Sequence, residues 1–486
     1  IQGWMILILG WVFVPFYSRS MVYTMPEFLE RRYNPQSRTI LSVISLVSYV
    51  LTKVAVTVYA GGLVFQQVFG IKELWGIDFF WIAAIGLVVL TAIYTIFGGM
   101  KSVLYTSVLQ TPILLLGSLI ILVLGFKELG GWDEMMRVCG AVTVNDYGDT
   151  MTNLIRSNDD ANFPWLGALI GSAIIGFWYW CTDQFIVQRV LSGKNEKEAR
   201  RGTIFGAYLK LLPVFLFLIP GMIAFALHQK YIGAGGEGFL PMLANGTANA
   251  DAAFPTLVAK LLPAGVKGLV VCGILAALMS SLASLFNSSA MLFTIDFYKR
   301  FRPETPEKKL VGIGQVATVV IVILGILWIP IMRSVGDVLY TYLQDVQSVL
   351  APGIAAAFLL GVCWKRTSAQ GGMWGLISGM VIGLTRLGAK VYYSNAGEVA
   401  DSTFKYLFYD MNWLFFCGWM FLFCMIVVIV VSLTTKAPTA EKIQGLVFGT
   451  ATKEQKAATR VSWDHWDIIH TVIILSITAA FYWYFW

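Results

Sequence analysis

Twelve apolar runs follow one another along the chain, near residues 2–17, 40–68, 77–97, 103–125, 164–188, 202–228, 266–297, 310–332, 337–364, 370–392, 412–434 and 467–486. Runs of this length suit a hydrocarbon layer about 30 Å thick, which a helix of about 20 residues crosses. Only 13% of the 486 residues are charged, against about 25% in ordinary soluble domains. Lipid is therefore the solvent for most of this surface, and little length is left for a soluble domain. The net charge of +7 is spread over the short breaks between runs, which argues against nucleic-acid binding.

An even number of spans puts both ends on one side of the membrane. Of the chain's 35 Lys and Arg residues, 22 lie in the odd-numbered breaks, and positive charge marks the cytoplasmic side. Both ends are therefore expected outside. The acidic break at 126–163, with Glu128, Asp133, Glu134, Asp146, Asp149, Asp159 and Asp160, then reads as a solvated external loop. The first residue, Ile1, already lies in an apolar stretch with no charged region before it, so the reading expects an internal start with helices missing upstream. Six cysteines form no C-x-x-C pair and read as small apolar packers.

A polar group inside a span costs roughly 2.5–3.5 kcal/mol on insertion scales, so each needs a partner or a function. In the fifth run, Phe177-Trp178-Tyr179-Trp180 is followed at once by Cys181-Thr182-Asp183-Gln184. Flat rings beside amide, carboxylate and hydroxyl groups suit a sugar; an interfacial aromatic belt has the same composition. Lys210 sits mid-run with no acidic residue in its own span, so it must face a cavity or an acidic group on another helix. Lys53 is similar, either a structural pair or a functional one. Ala277, Ser280 and Ser281 fall at i, i+3 and i+4 on one helical face. They would make an oxygen surface for a monovalent cation, or a small-residue interface for close packing. Gln344, Asp345 and Gln347 precede Pro352-Gly353, so that span is expected to be polar on one side and bent or broken, as in secondary transporters. The three histidines show no metal or nucleophile spacing, and no Gly-rich phosphate loop follows a strand pattern.

With these residues in view the chain resembles the sodium/solute symporter family, and within it the sodium/glucose cotransporter branch. The resemblance rests on Thr24-Met25-Pro26-Glu27-Phe28-Leu29, on Gly98-Gly99 with Tyr105-Thr106 and Gln110, and on Trp178 through Gln184 with Val187-Gln188-Arg189. Tyr208-Leu209-Lys210-Leu211, Met279-Ser280-Ser281 through Phe286-Asn287-Ser288, and Trp364-Lys365-Arg366 extend it over essentially the whole chain. It implies an all-α polytopic membrane protein with a LeuT-like core of five plus five helices in inverted repeat, here without its first core helix.

The resemblance further implies a transporter and not an enzyme: sodium-coupled symport of a hexose such as glucose or galactose into the cell across the plasma membrane. A polyol such as myo-inositol is the alternative cargo, and a sensor or channel on the same scaffold is the alternative class. Gln344 and Lys210 would contact sugar hydroxyls or hold their neighbours, and Tyr179 would close over the sugar with Trp180 beside it. Ala277, Ser280 and Ser281 would hold sodium, the coupling ion. Ser107 stands where many relatives of this branch carry an Asp after Tyr-Thr, so one sodium per sugar is expected.

Overall fold

The computed structural model describes residues 2–20, 22, 24–243, 246–335, 338–395 and 400–484, with side chains other than those at 2, 94, 96–104, 106, 107, 109 and 333–335. Among the described residues, helices carry most of each of the twelve apolar runs. Nine helices among the described residues are long and apolar enough to cross a membrane. A tenth span is a bent pair, α1 (Gly3–Ser20) and α2 (Met25–Arg32), which meet at 72°. Thr24 makes the corner: its hydroxyl accepts the Glu27 N–H at 3.2 Å, capping α2, and Pro26 occupies the first turn, where its missing N–H costs nothing.

The long helix α3 (Pro35–Phe69) follows, opened by Asn34, whose side chain accepts the Ser37 N–H at 2.8 Å. The runs at 77–97 and 103–125 are carried by one helix, α4 (Phe79–Leu129), which holds the short apolar piece Phe79–Ile93 and the full-length span Gln110–Leu129. The side chains of Lys101, in the break between those runs, and of Thr106 and Ser107, early in the second run, lie outside those described. α5 (Trp165–Thr182) leads through Asp183 into the short α6 (Gln184–Leu191). Then come α7 (Glu196–Gly233), α8 (Ala264–Phe301), α9 (Glu307–Met332), α10 (Leu339–Cys363), α11 (Ala369–Asn395), α12 (Trp413–Thr434) and α13 (His465–Tyr484).

Two features differ from the sequence reading. α10 was expected to be bent or broken near Pro352-Gly353; no break occurs, for it runs as one helix from Leu339 to Cys363 and is the most deeply buried span. Packing on all sides holds it. A Cβ built on Gly379 of α11 would lie 2.6 Å from the Gly353 Cα, so the two backbones touch where no side chain fits. The run at 370–392 is helical, but its second half carries a fully buried Arg386 and a half-buried Lys390.

One large core joins α1, α3, α5, α8, α10 and α12, with Tyr49, Trp178, Phe286, Phe358 and Cys424 among its members. A second, smaller core lies between α4, α7, α8 and the helix Ala253–Leu261.

Candidate functional site: two lysines and two rings at a helix bend

The last turn of α5, Trp178–Thr182, is wound wider than an α-helix and ends at Asp183, whose extended backbone (φ −82°, ψ 126°) breaks the path before α6. Wide turns free backbone groups and often mark functional positions. Cys181, Asp183 and Gln184 fasten this break to neighbouring segments. Tyr17 Oη donates to the Cys181 carbonyl at 2.5 Å, and the Met25 N–H donates to Gln184 Oε1 at 2.9 Å. Asp183 Oδ1 accepts Tyr49 Oη at 2.8 Å and the Phe185 N–H at 3.0 Å, while Oδ2 pairs with Lys53 Nζ. Asp183 and Gln184, read from sequence as groups that would meet sugar hydroxyls, are buried and engaged with protein. Lys53 is the structural pair of the two readings.

The rings themselves are less committed. Tyr179 and Trp180 stand edge to face, centroids 5.1 Å apart and planes at 82°. Lys53 Nζ lies 5.2 Å from the Tyr179 ring, and Lys210 Nζ lies 5.5 Å from the Trp180 ring. The order in space is thus cation, ring, ring, cation. Lys53 is neutralised by Asp183. Lys210 has no carboxylate within ion-pair distance among the described residues, so the Trp180 face takes the place of the acidic group that the sequence reading required.

Gln344 lies on α10, which packs against this bend. Its Nε2 donates to Tyr340 Oη at 2.8 Å, one turn back on the same helix. Two residues before it, Tyr342 Oη donates to the Leu51 carbonyl at 2.9 Å and accepts Trp328 Nε1–H at 2.6 Å, tying α10 to α3 close to Lys53. The structure therefore brings Tyr179, Trp180 and Lys210 into one row and sets Gln344 on the adjoining helix.

Ala277, Ser280 and Ser281 share one face of α8, with Ser280 buried and the other two half-buried. Their neighbours Leu275, Leu278, Met279 and Leu282 pack into the same core as Tyr179 and Trp180, so this stretch of α8 belongs to the protein interior. The Ser281 hydroxyl has no partner among the described residues. The Ser280 carbonyl accepts Ser284 Oγ at 3.0 Å, and the Ser284 carbonyl accepts Ser288 Oγ at 2.8 Å, so this face continues as a ladder of hydroxyls. The Ser107 side chain lies outside those described.

Three sets of contacts escaped the sequence reading. Gln188 Nε2 donates to the Ser284 carbonyl at 3.3 Å and to Ser288 Oγ at 2.5 Å, and Arg189 donates to Ser284 Oγ, so α6 is stitched along α8 below the serine pair. Asp345, beside Gln344, pairs with Lys390 and lies 3.5 Å from Arg386. Arg386 in turn donates to the Met411 carbonyl at 2.7 Å and covers the Phe416 ring at 4.1 Å. Arg386 and Lys390, one turn apart inside an apolar run, were as conspicuous in the sequence as Lys210.

The sequence profile of the sodium:solute symporter family matches residues 1–379. The chain belongs to that family. Curated relatives agree. The sodium/mannose cotransporter SLC5A10 of Bos taurus is 35% identical over 504 residues, covering 99% of this chain and 83% of its own. The sodium/myo-inositol cotransporter 2 of Homo sapiens is 35% identical over 457 residues (92% and 67%), and the sodium/glucose cotransporter 1 of Ovis aries 37% identical over 449 (89% and 67%). A solved structure of a Na+-coupled sialic acid symporter, in a substrate-bound outward-open state, matches with TM-score 0.68 at 21% identity, covering 90% of this chain and 84% of that one. That likeness shows the fold, the LeuT-like one implied by the resemblance. The family is one of transporters, and sodium is its coupling ion.

Proposed function

We propose that this symporter imports a hexose such as glucose or galactose together with sodium, one sodium per sugar, across the plasma membrane, with both ends of the described chain outside. The observation that carries the reading is the row of Tyr179 and Trp180 flanked by Lys210 at the broken end of α5. Aromatic rings cover the C–H faces of a pyranose, and an unneutralised ammonium donates to its hydroxyls. Gln344, on the helix against that bend, supplies an amide that both donates and accepts.

Sodium, as cargo, would take the Ala277 carbonyl and the Ser280 and Ser281 hydroxyls on α8. Neutral oxygens suit a monovalent ion, which needs no carboxylate. The Ser281 hydroxyl, without a partner among the described residues, is the group readiest to serve. One charge moving through about 100 mV releases roughly 2.3 kcal/mol, and a tenfold sodium gradient adds about 1.4 kcal/mol. The sum of about 3.7 kcal/mol supports several-hundredfold accumulation of the sugar. Sodium and sugar raise each other's affinity by one reciprocal coupling free energy, so neither crosses well alone.

A second cargo, a polyol such as myo-inositol, is favoured by the sodium/myo-inositol cotransporter among the relatives, because any ring of hydroxyls meets the same groups. The experiment is uptake into proteoliposomes with and without an inward sodium gradient, followed by competition among glucose, galactose, mannose and myo-inositol. Lys210→Ala and Gln344→Ala are each expected to raise the half-saturating sugar concentration about tenfold, the loss of one hydrogen bond to a charged or amide donor. Uptake indifferent to sodium, or unaltered by both substitutions, overturns the reading.

A further inference from the structure

After α12 the chain folds back over the ends of α1 and α2 that the positive-charge bias assigns to the cytoplasm. Phe448 meets Phe16 edge to face at 4.7 Å, and its N–H reaches the Val362 carbonyl at 2.8 Å. Lys442 Nζ donates to the Glu30 carbonyl at 2.9 Å, and Arg19 Nη2 donates to Thr459 Oγ1 at 2.5 Å. Between this strap and the bent pair α1–α2 lies a cleft of about 360 Å³, whose lining includes Arg19, Arg31, Lys442, Gln444, Gln455 and Glu441.

Three cations thus face one carboxylate. Arg31 is balanced by Glu27 at 2.9 Å, one turn away. Among the described residues Arg19 and Lys442 hydrogen-bond to neutral oxygens, a hydroxyl and a carbonyl, and the one carboxylate acting on Arg19, Glu196, is not a hydrogen-bond partner and is offset by Arg200. Arg19 Nε is buried and has no hydrogen-bond partner among the described residues. A buried donor on a charged group is costly to leave unpaired, and an anion in the cleft that Arg19 lines would offset that cost through the guanidinium charge. Gln455 Oε1 already accepts the Thr452 N–H at 3.0 Å, which leaves its NH2 as a further donor.

We infer that this cleft binds a phosphate monoester. Its donors come from separate walls, Arg19 on α1 and Lys442 on the strap. A carboxylate presents two oxygens in one plane, whereas the three terminal oxygens of a phosphate reach both walls at once. The cleft is larger than a phosphate group alone, leaving room for the alcohol part of the ester. The ligand clamps the strap to the corner between α1 and α2, so a phosphate ester on the cytoplasmic side stabilises one position of that corner. The same chemistry is offered by a soluble sugar phosphate and by the headgroup of phosphatidic acid.

The test uses the full chain in phosphatidylcholine nanodiscs. The melting temperature is measured with inorganic phosphate or glycerol phosphate in solution, or with phosphatidic acid in the nanodisc, against chloride at equal ionic strength, which removes general screening. A phosphate probe is expected to raise the melting temperature, and Arg19→Gln and Lys442→Gln are each expected to weaken its binding about tenfold, one charge-assisted hydrogen bond. Lys456→Gln, at an exposed position outside the cleft, leaves binding unchanged. Stabilisation by soluble phosphates as well as by phosphatidic acid makes the ligand a soluble ester, and stabilisation by phosphatidic acid alone makes it a headgroup. No stabilisation beyond chloride by any probe overturns the inference, and so does an equal loss in Lys456→Gln. Because the readout needs neither sodium nor sugar, its failure leaves the transport reading untouched.

Discussion

Replacing Lys53 by methionine tests what holds the broken end of α5 in place. The Lys53 and Asp183 side chains are 8% and 3% exposed, and Lys53 Nζ lies within 4.5–5.9 Å of the rings of Tyr49, Trp178, Tyr179 and Phe185. Removing one partner of a buried pair leaves an uncompensated charge, a cost of about 3–5 kcal/mol. Here Asp183 keeps two donors, Tyr49 Oη and the Phe185 N–H, so the lower end, about 3 kcal/mol, is expected for Lys53→Met. The double variant Lys53→Met/Asp183→Asn has no charge left to strand and is expected to recover at least about half of that loss. Unfolding in mixed micelles of rising dodecyl sulfate fraction, followed by tryptophan fluorescence, measures both. A single variant that loses less than about 1 kcal/mol, the range of an exposed ion pair, refutes the reasoning. A double variant no more stable than the single one does so equally.

Three further outcomes follow from particular contacts. Ser281→Ala is expected to raise the half-saturating sodium concentration several-fold while leaving sodium-independent sugar binding unchanged, as read by isotopic uptake; equal sodium dependence in the variant removes Ser281 from the ion site. Gly383→Ala places a Cβ 2.2 Å from the Val349 carbonyl of α10, so it should cost about 1–3 kcal/mol as an overpacked backbone contact, seen as a lower melting temperature. In the loop before α5, burial works against the Asp160 carboxylate, but the Phe163 and Asn162 N–H groups and Arg156 outweigh it and hold its pKa below the usual range. A depressed carboxylate contributes stability that is present above its unfolded pKa of about 3.9 and lost as pH falls through its folded value. The loop should therefore resist proteolysis at neutral pH and open in acid, and Asp160→Asn should weaken that resistance at neutral pH.

Much of the membrane architecture was legible because lipid imposes a one-dimensional rule: every backbone group must be paired within its own segment, so each apolar run becomes a helix. Among the described residues most of each run is helical for that reason. The break allowed for at Pro352 came from the same kind of local argument and does not occur. A proline removes one helical hydrogen bond, but α10 is enclosed by α5, α11 and α12, and close packing at Gly353 and Gly379 holds it unbroken. Lys210 was legible as an anomaly, since no acid in its span neutralises it. Its actual neighbour, the face of Trp180, was not, because a ring is an electrostatic partner only once two helices cross at the right height.

The order of apolar and polar residues was enough to assign the solvent, the helices, the likeness to sodium symporters and the residue types able to meet a sugar and an alkali ion. Which polar groups the protein itself engages was settled only in three dimensions. Asp183 and Gln184 look like ligands in the chain and are consumed by Lys53, Tyr49 and the Met25 N–H, while Arg386 and Lys390 find Asp345 across a helix boundary. The reason is physical. Periodicity records which side of a helix prefers lipid, whereas hydrogen-bond and charge partners depend on angstrom-scale separations between segments far apart in the chain.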